Sequence, residues 1–279
     1  MLPPVRATVI VPTYQEADNI ALLLRRIRMA APSVHVVVVD DGSPDGTADV
    51  AEAVGAEVGH VEVLRRGAKD GLASAYLAGF AHAILGGAEI VITMDADHSH
   101  DPAVIPQLVE ASERGADLVI GSRYIRGGRI LDWTASRRVL SLWGNRYATA
   151  ALRLPVSDAT SGYRAYRADV VNVEDLSRIR ASGYGFIIEM AYRLVRAGGK
   201  LVEVPITFVD REHGSSKISS HTVVEAAVLV TLWGVRDRMA DRRAHRMVVS
   251  EPRHRLVSTR ATDALRIGDG AGKWRRRTS

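Results

Sequence analysis

The chain has 279 residues, 47% hydrophobic and 25% charged, with a mean hydropathy of -0.01. These values suit a globular protein with room for a sizeable core, and the absence of cysteine excludes disulfides and thiolate metal sites. The net charge of +5 is unevenly placed: residues 240–279 hold eleven Lys/Arg against four Asp/Glu, a net +7 that leaves −2 for the first 239. The pI near 9.7 therefore belongs to the tail and does not mark a nucleic-acid-binding protein. That tail, 240–279, is expected to be disordered, with attraction to anionic lipid headgroups as the sharper reading.

The N-terminal MLPPVRATVIVPTY lacks the basic start and small-residue cleavage site of a signal peptide, so Ala7–Val11 reads as a first strand and the protein as cytoplasmic. Ala17–Ala30 carries a helical apolar stripe at Ile20, Leu23, Leu24 and Ile27. Val34–Val39 is β-branched almost throughout, as strands covered on both faces are, and runs into the turn Asp40-Asp41-Gly42-Ser43. A helix near Thr47–Val54, a strand at Val61–Leu64, a helix at Leu72–Leu85 and a strand at Ile90–Met94 follow, then a helix at Ala103–Arg114 and a strand at Asp117–Gly121. This order predicts an α/β fold on a single doubly wound, mostly parallel sheet flanked by helices. Val223–Val235 contains Glu225 and is too short to span a bilayer, which leaves an amphipathic or core helix over about 218–239.

Ligands of such sheets bind beyond the carboxyl ends of the strands, and three polar clusters fall there: TYQE, DDGS and DADHS. Each alone could be a capping turn. Strand alternation puts Asp95, Asp97 and, if the chain stays extended, Ser99 on one face, a donor set for Mg²⁺ or Mn²⁺. His98 and His100 fall on the opposite phase and read as loop or core residues. No GxGxxG, GxxxxGK[ST], GxSxG or HExxH pattern is present, which argues against dinucleotide, P-loop, serine-hydrolase and zinc-hydrolase chemistry.

VIVPTYQEADNI, VVVVDDGSPDGT, RRGAKDGLASAYLAGF, MDADHSHDP, GSRY, SGYRAYR, GYGFIIEM and VPITFVDREHGSSKIS follow one another in order. Over roughly residues 5–235 this resembles the polyprenol- and dolichol-phosphate mannosyltransferases, within the family-2 glycosyltransferases of GT-A fold. The resemblance implies a catalytic domain over 1–239 and a divalent metal, Mg²⁺ or Mn²⁺. It places Pro12, Tyr14 and Glu16 around the nucleotide, and Val39 and Asp41 at base and ribose. Asp95, Ala96 and Asp97 form its DxD motif, with Ser99 a weaker third metal contact. Arg123, Arg211 and Lys217 bring positive charge to the diphosphate and the incoming phosphate, with Asp97, Arg123 and Lys217 the catalytic set. Arg137 and Ser141 match the acceptor-phosphate contacts, with Arg138 a possible extra.

The implied reaction is inverting transfer of mannose from GDP-mannose to polyprenyl phosphate. A UDP-sugar-dependent transferase on the same lipid, whose members usually carry two C-terminal membrane helices, and a non-catalytic nucleotide-sugar-binding subunit are the alternatives. The acceptor implies peripheral docking on the inner face of the cell membrane, directly or through a separate integral membrane protein.

Overall fold

Four consecutive valines, Val36–Val39, form the middle of a strand buried on both sides, and the fold follows from where each alternate side chain goes. A computed structural model describes residues 6–171, 179, 183–210 and 220–250, and the chain divides into two units, Met1–Arg236 and Asp237–Ser279. In chain order the elements are β1 (Ala7–Thr13), α1 (Ala17–Ala30), β2 (His35–Asp40), α2 (Thr47–Val58), β3 (Val61–Arg65), α3 (Leu72–Leu85), β4 (Ile90–Thr93), α4 (Ile105–Glu113) and β5 (Leu118–Ser122). There follow β6 (Arg129–Ile130), α5 (Ala135–Leu152), β7 (Arg164–Arg167), α6 (Gly183–Arg196), β8 (Leu201–Pro205), β9 (Thr207–Phe208) and α7 (Ser220–Ser250).

The first unit is built on a seven-stranded sheet of order β3-β2-β1-β4-β7-β5-β8, parallel except for β7, which runs antiparallel to both neighbours. Val36 and Val38 of β2 join Val9 and Val11 of β1 in a core against α1, α2 and α4. Val37 and Val39 join Ile10, Val91 and Ile120 in a second core against α3, α5 and α6. The two-residue period of the strands thus feeds a separate core on each face, which is why these runs are apolar throughout.

The structure departs from the sequence reading in four places. A second, two-stranded parallel sheet, β6–β9, stands beside the main one. The expected helix at 103–114 begins as a 3₁₀ turn over Pro102–Val104, capped by the Asp101 carboxylate, and becomes α-helical at Ile105. β4 ends at Thr93 and the chain bends over residues 96–98, with a φ of +63° at His98, so it does not stay extended to Ser99. Last, α7 continues to Ser250, past the expected end near 239.

Strand order reverses between β1 and β4, the switch point at which a doubly wound sheet opens a crevice. Helix α3 closes tightly over this region: a Cβ placed on Gly79 would lie 2.5 Å from Ile10 Cγ2 and 3.2 Å from Val39 Cγ2. Gly79→Ala is expected to lower stability by about 1–3 kcal/mol through overpacking, read as a lower urea midpoint at unchanged m-value.

Candidate functional site

A cavity of about 370 Å³ opens at the switch point, walled by Pro12–Tyr14 after β1, Asp41 after β2 and Asp95–Asp97 after β4. The first two loops are stitched together. The backbone N–H groups of Gln15, Glu16 and Ala17 donate to Ser43 Oγ, Thr47 Oγ1 and Asp45 Oδ2 at 2.9, 2.9 and 3.2 Å. Asp40 turns inward and accepts from Thr13 Oγ1 and from Ser43 N–H and O–H. Its neighbour Asp41 is left on the cavity wall, where burial pushes its carboxyl up and Arg66, donating at 2.7 Å, offsets this only in part. Lys69 lies 4.1 Å from the Tyr14 ring centroid on the same side, and Glu16 accepts from Asn19 at 2.7 Å.

Asp95 and Asp97 share the floor. The Tyr76 hydroxyl donates to Asp95 Oδ1 at 3.2 Å, and burial beside that carboxylate raises the phenol well above its usual value, so it remains a donor. Asp97 Oδ1 accepts the N–H of Ser99 at 3.1 Å, which closes the turn. Asp95 and Asp97 both line the cavity from the loop beyond β4, which ends at Thr93, so strand alternation is not what places them there. His100 also lines the cavity: its Nδ1 accepts the Asp95 N–H at 3.3 Å, and it stacks on Tyr163 at 4.9 Å. Burial lowers its pKa, Asp95 and Asp97 opposing, so a neutral ring with its proton on Nε2 fits that bond. His98 does not line the cavity.

The basic wall is built around a buried ion pair. Arg123 donates Nε and Nη2 to the two oxygens of Asp158, each at 2.7 Å, and its backbone N–H to Asp158 at 3.0 Å. Burial alone would raise Asp158, but Arg123 outweighs it and holds the carboxyl below the usual range. Arg123 Nη2 also donates to Thr160, which Asn145 grips at 2.9 and 3.2 Å. Beneath this loop the fully buried Arg164 donates to the carbonyls of Ala159, Ser161 and Ile187, tying β7 and α6 to the cavity wall. Arg137, in the first turn of α5, lies over the Trp133 ring at 4.2 Å and donates to Asp210 at 2.6 Å.

The cavity therefore gathers Pro12, Tyr14, Glu16, Asp41, Asp95, Ala96, Asp97, Ser99, Arg123 and Arg137. Val39 is not on its wall: its side chain is in the core under α3. Ser141 Oγ accepts from Tyr124 at 2.7 Å and Arg138 donates to the Ile130 carbonyl, both away from the cavity lining. Arg211 and Lys217 lie outside the described residues. The sequence reading missed Lys69, Trp133, His100 and Asp158; of these, Lys69 was signalled by its place in RRGAKDG.

Among the described residues no cluster of three His, Cys, Asp or Glu forms a closed metal site. Asp95 and Asp97 nonetheless suit an open site whose other ligands are phosphate and water oxygens. Ser99 Oγ supports that fit: it is shielded from solvent and has no hydrogen-bond partner among the described residues.

The family model for glycosyl transferase family 2 matches residues 8–173. The chain is 48% identical over 239 residues to the undecaprenyl-phosphate mannosyltransferase of Micrococcus luteus, covering 86% of this chain and 98% of that protein. It is 44% identical over 238 residues to the polyprenol monophosphomannose synthase of Mycolicibacterium smegmatis, covering 85% and 90%. The dolichol-phosphate mannosyltransferase of Pyrococcus furiosus is 38% identical over 225 residues, 79% of this chain and 61% of that protein. Among solved structures, a glucosyl-3-phosphoglycerate synthase from Mycobacterium tuberculosis in complex with Mn²⁺, UDP and glucosyl-3-phosphoglycerate shares the fold. Its TM-score is 0.59 at 20% identity, covering 84% of this chain and 80% of that one.

Asp158→Asn leaves the Arg123 guanidinium buried without its counter-charge and should cost about 3–5 kcal/mol in chemical denaturation. Because the folded-state carboxyl sits below its unfolded value, the pair's contribution is present above the ordinary carboxylate range and is lost as pH falls through the folded value. The wild type should therefore lose stability more steeply in acid than the variant.

Proposed function

The chain belongs to glycosyl transferase family 2, and on that footing we propose that it transfers mannose from GDP-mannose to a polyprenyl phosphate, releasing GDP with inversion at the anomeric carbon. The observation that carries this reading is the mixed charge of the cavity: two carboxylate residues, Asp95 and Asp97, and two arginines, Arg123 and Arg137, line one space. That arrangement has a place for a cation-bound diphosphate and a place for a second phosphate. The mannose and the polyprenyl phosphate come from the activities named for the relatives at 48% and 44% identity.

Asp95 and Asp97 would hold a divalent cation, Mg²⁺ or Mn²⁺, with the Ser99 hydroxyl close by; when bound it supplies a counter-charge for the departing diphosphate. The chain's own groups do the rest. Asp41, Tyr14 and Lys69 bind and orient the nucleoside. Tyr76 and His100 fix the Asp95 carboxylate and backbone, so the acidic floor does not rearrange as charge develops. The acceptor is a phosphate monoester with a second pKa of about 6, so it arrives ionised and needs no general base. Its oxygen attacks the anomeric carbon from the face opposite the leaving diphosphate, so an α-linked donor gives a β-linked lipid phosphate sugar.

Among the described residues no helix is long and apolar enough to cross a membrane. Two exposed helix faces suit a lipid met at the surface. On α5, Leu140, Trp143 and Tyr147 form an exposed stripe, and on α7, Val224, Val228, Leu232 and Val235 form another. The helices are joined by a hydrogen bond between Tyr147 Oη and Thr231 Oγ1 at 2.5 Å. Stripes at this spacing suit a helix lying in the headgroup region. This supports peripheral docking on the inner face of the cell membrane, with the basic tail adding electrostatic attraction or a separate membrane protein acting as anchor.

Incubation with labelled GDP-mannose, UDP-glucose or UDP-N-acetylglucosamine and a polyprenyl phosphate should give labelled lipid from GDP-mannose alone. Asp97→Ala should lower that incorporation by at least about 100-fold; incorporation at the wild-type rate would sink the metal-assisted reading. In a vesicle sedimentation assay, Leu140→Asp with Trp143→Asp should cut membrane partitioning by about 10- to 100-fold, from the loss of two buried apolar side chains. Unchanged partitioning would place the docking surface elsewhere.

A further inference from the structure

The guanidinium assigned above to the acceptor phosphate is already occupied by a carboxylate. Arg137 Nη1 donates to Asp210 Oδ2 at 2.6 Å, with the two side chains 40% and 30% exposed. Asp210 lies two residues beyond Phe208, whose ring meets Trp133 edge-on at 5.4 Å, and Trp133 in turn carries Arg137. Arg123 belongs to the same group, its guanidinium 5.8 Å from the Trp133 ring and 5.4 Å from that of Phe208. A phosphate reaching this wall therefore meets a fixed negative charge on its binding group.

What can displace that charge depends on the charge of the newcomer. A monoanion replacing the carboxylate exchanges one unit charge for another, gains no Coulomb energy, and gives up its own hydration. A dianion adds the attraction of its second charge to Arg137, with Arg123, already compensated by Asp158, contributing less. Trp133 keeps its face against Arg137 in either case, so the guanidinium stays in place when Asp210 leaves it. The geometry points to Asp210 as a specificity residue: the resident counter-ion of Arg137, which admits a phosphomonoester dianion and turns away phosphodiester monoanions. This rests on the reading of Arg137 as the acceptor-phosphate contact. An enzyme working at a bilayer is surrounded by diester headgroups in large excess over its monoester substrate. A like charge placed against the wrong ligand is a direct way to discriminate between the two.

Asp210→Asn removes the charge and keeps the shape. Transfer to a short polyprenyl phosphate would be measured in neutral-detergent micelles with increasing mole fractions of phosphatidylglycerol, a diester monoanion. In the variant, half-inhibition should come at about tenfold less phosphatidylglycerol than in the wild type. The KM for the lipid phosphate should fall about threefold, and the KM for GDP-mannose should not move. Equal inhibition of the two proteins overturns the proposal. So does a raised acceptor KM in the variant, which would make Asp210 a prop for the working pose of Arg137. Arg137→Gln separates this outcome from failure of the underlying reading: if it leaves the acceptor KM unchanged, the phosphate does not bind at Arg137 at all. Asp210→Ser, with its thermal unfolding compared to wild type, gives the same comparison should the asparagine variant not fold.

Discussion

A carboxylate removed from water is tolerated only when its charge is met and its lone pairs are used, and Asp158, with no solvent exposure, sets that condition for the whole basic wall. Arg123 meets it from the end of β5 through two side-chain bonds and one backbone bond, and the N–H groups of Thr160 and Ser161 take up the remaining capacity. Glu203 of β8 accepts the N–H groups of Ser157 and Asp158, and Asn145 of α5 holds Thr160 from the other side. One ion pair thus fixes where β5, α5, β8 and the loop before β7 stand around the cavity. The same bonds mean that Arg123 enters the site with its orientation set and much of its charge compensated.

This division of labour runs through the cavity. Groups that need a fixed position are bonded from behind: Asp95 by Tyr76 and His100, Arg123 by Asp158, and the 159–161 loop by the buried Arg164. Arg137, by contrast, sits on an aromatic face and a partly exposed ion pair, which a more highly charged anion can displace. Rigid donors suit a diphosphate bound the same way every cycle. An exchangeable one suits a phosphate presented from a membrane.

The N-terminal half was legible because its signals are local. The stripe Ile20, Leu23, Leu24 and Ile27 marks α1, and the apolar run at Leu72–Leu85 marks α3, each with the boundaries the structure gives them. β2 and β4 are legible because strands buried on both faces must be apolar throughout. The remainder was hidden for the opposite reason. β7 reads RAYR, a pattern with no apolar period, because its buried arginine is satisfied by two carbonyls of the loop just before it and by that of Ile187, 23 residues on. Asp158 in SDATS looks like a turn residue, and nothing nearby in sequence announces a partner 35 positions upstream. Asp95 and Asp97 were placed on one face by strand alternation, whereas β4 ends at Thr93 and both reach the cavity wall from the loop that follows it. Motif residues can be found by type while the backbone path between them is misread.

A hydrogen bond between Tyr147 and Thr231 links α5 to α7, and Arg137 stands in the first turn of the same helix that carries Trp143. At 1.5 Å of rise per residue, the six residues from Arg137 to Trp143 span about 9 Å along the helix axis. If α5 docks on a bilayer as proposed, it would act as a ruler between bilayer and cavity: the depth at which its indole settled would set the height of the guanidinium. On that reading a phosphate at headgroup level would be met where it lies, and the isoprenoid chain behind it would not have to leave the membrane.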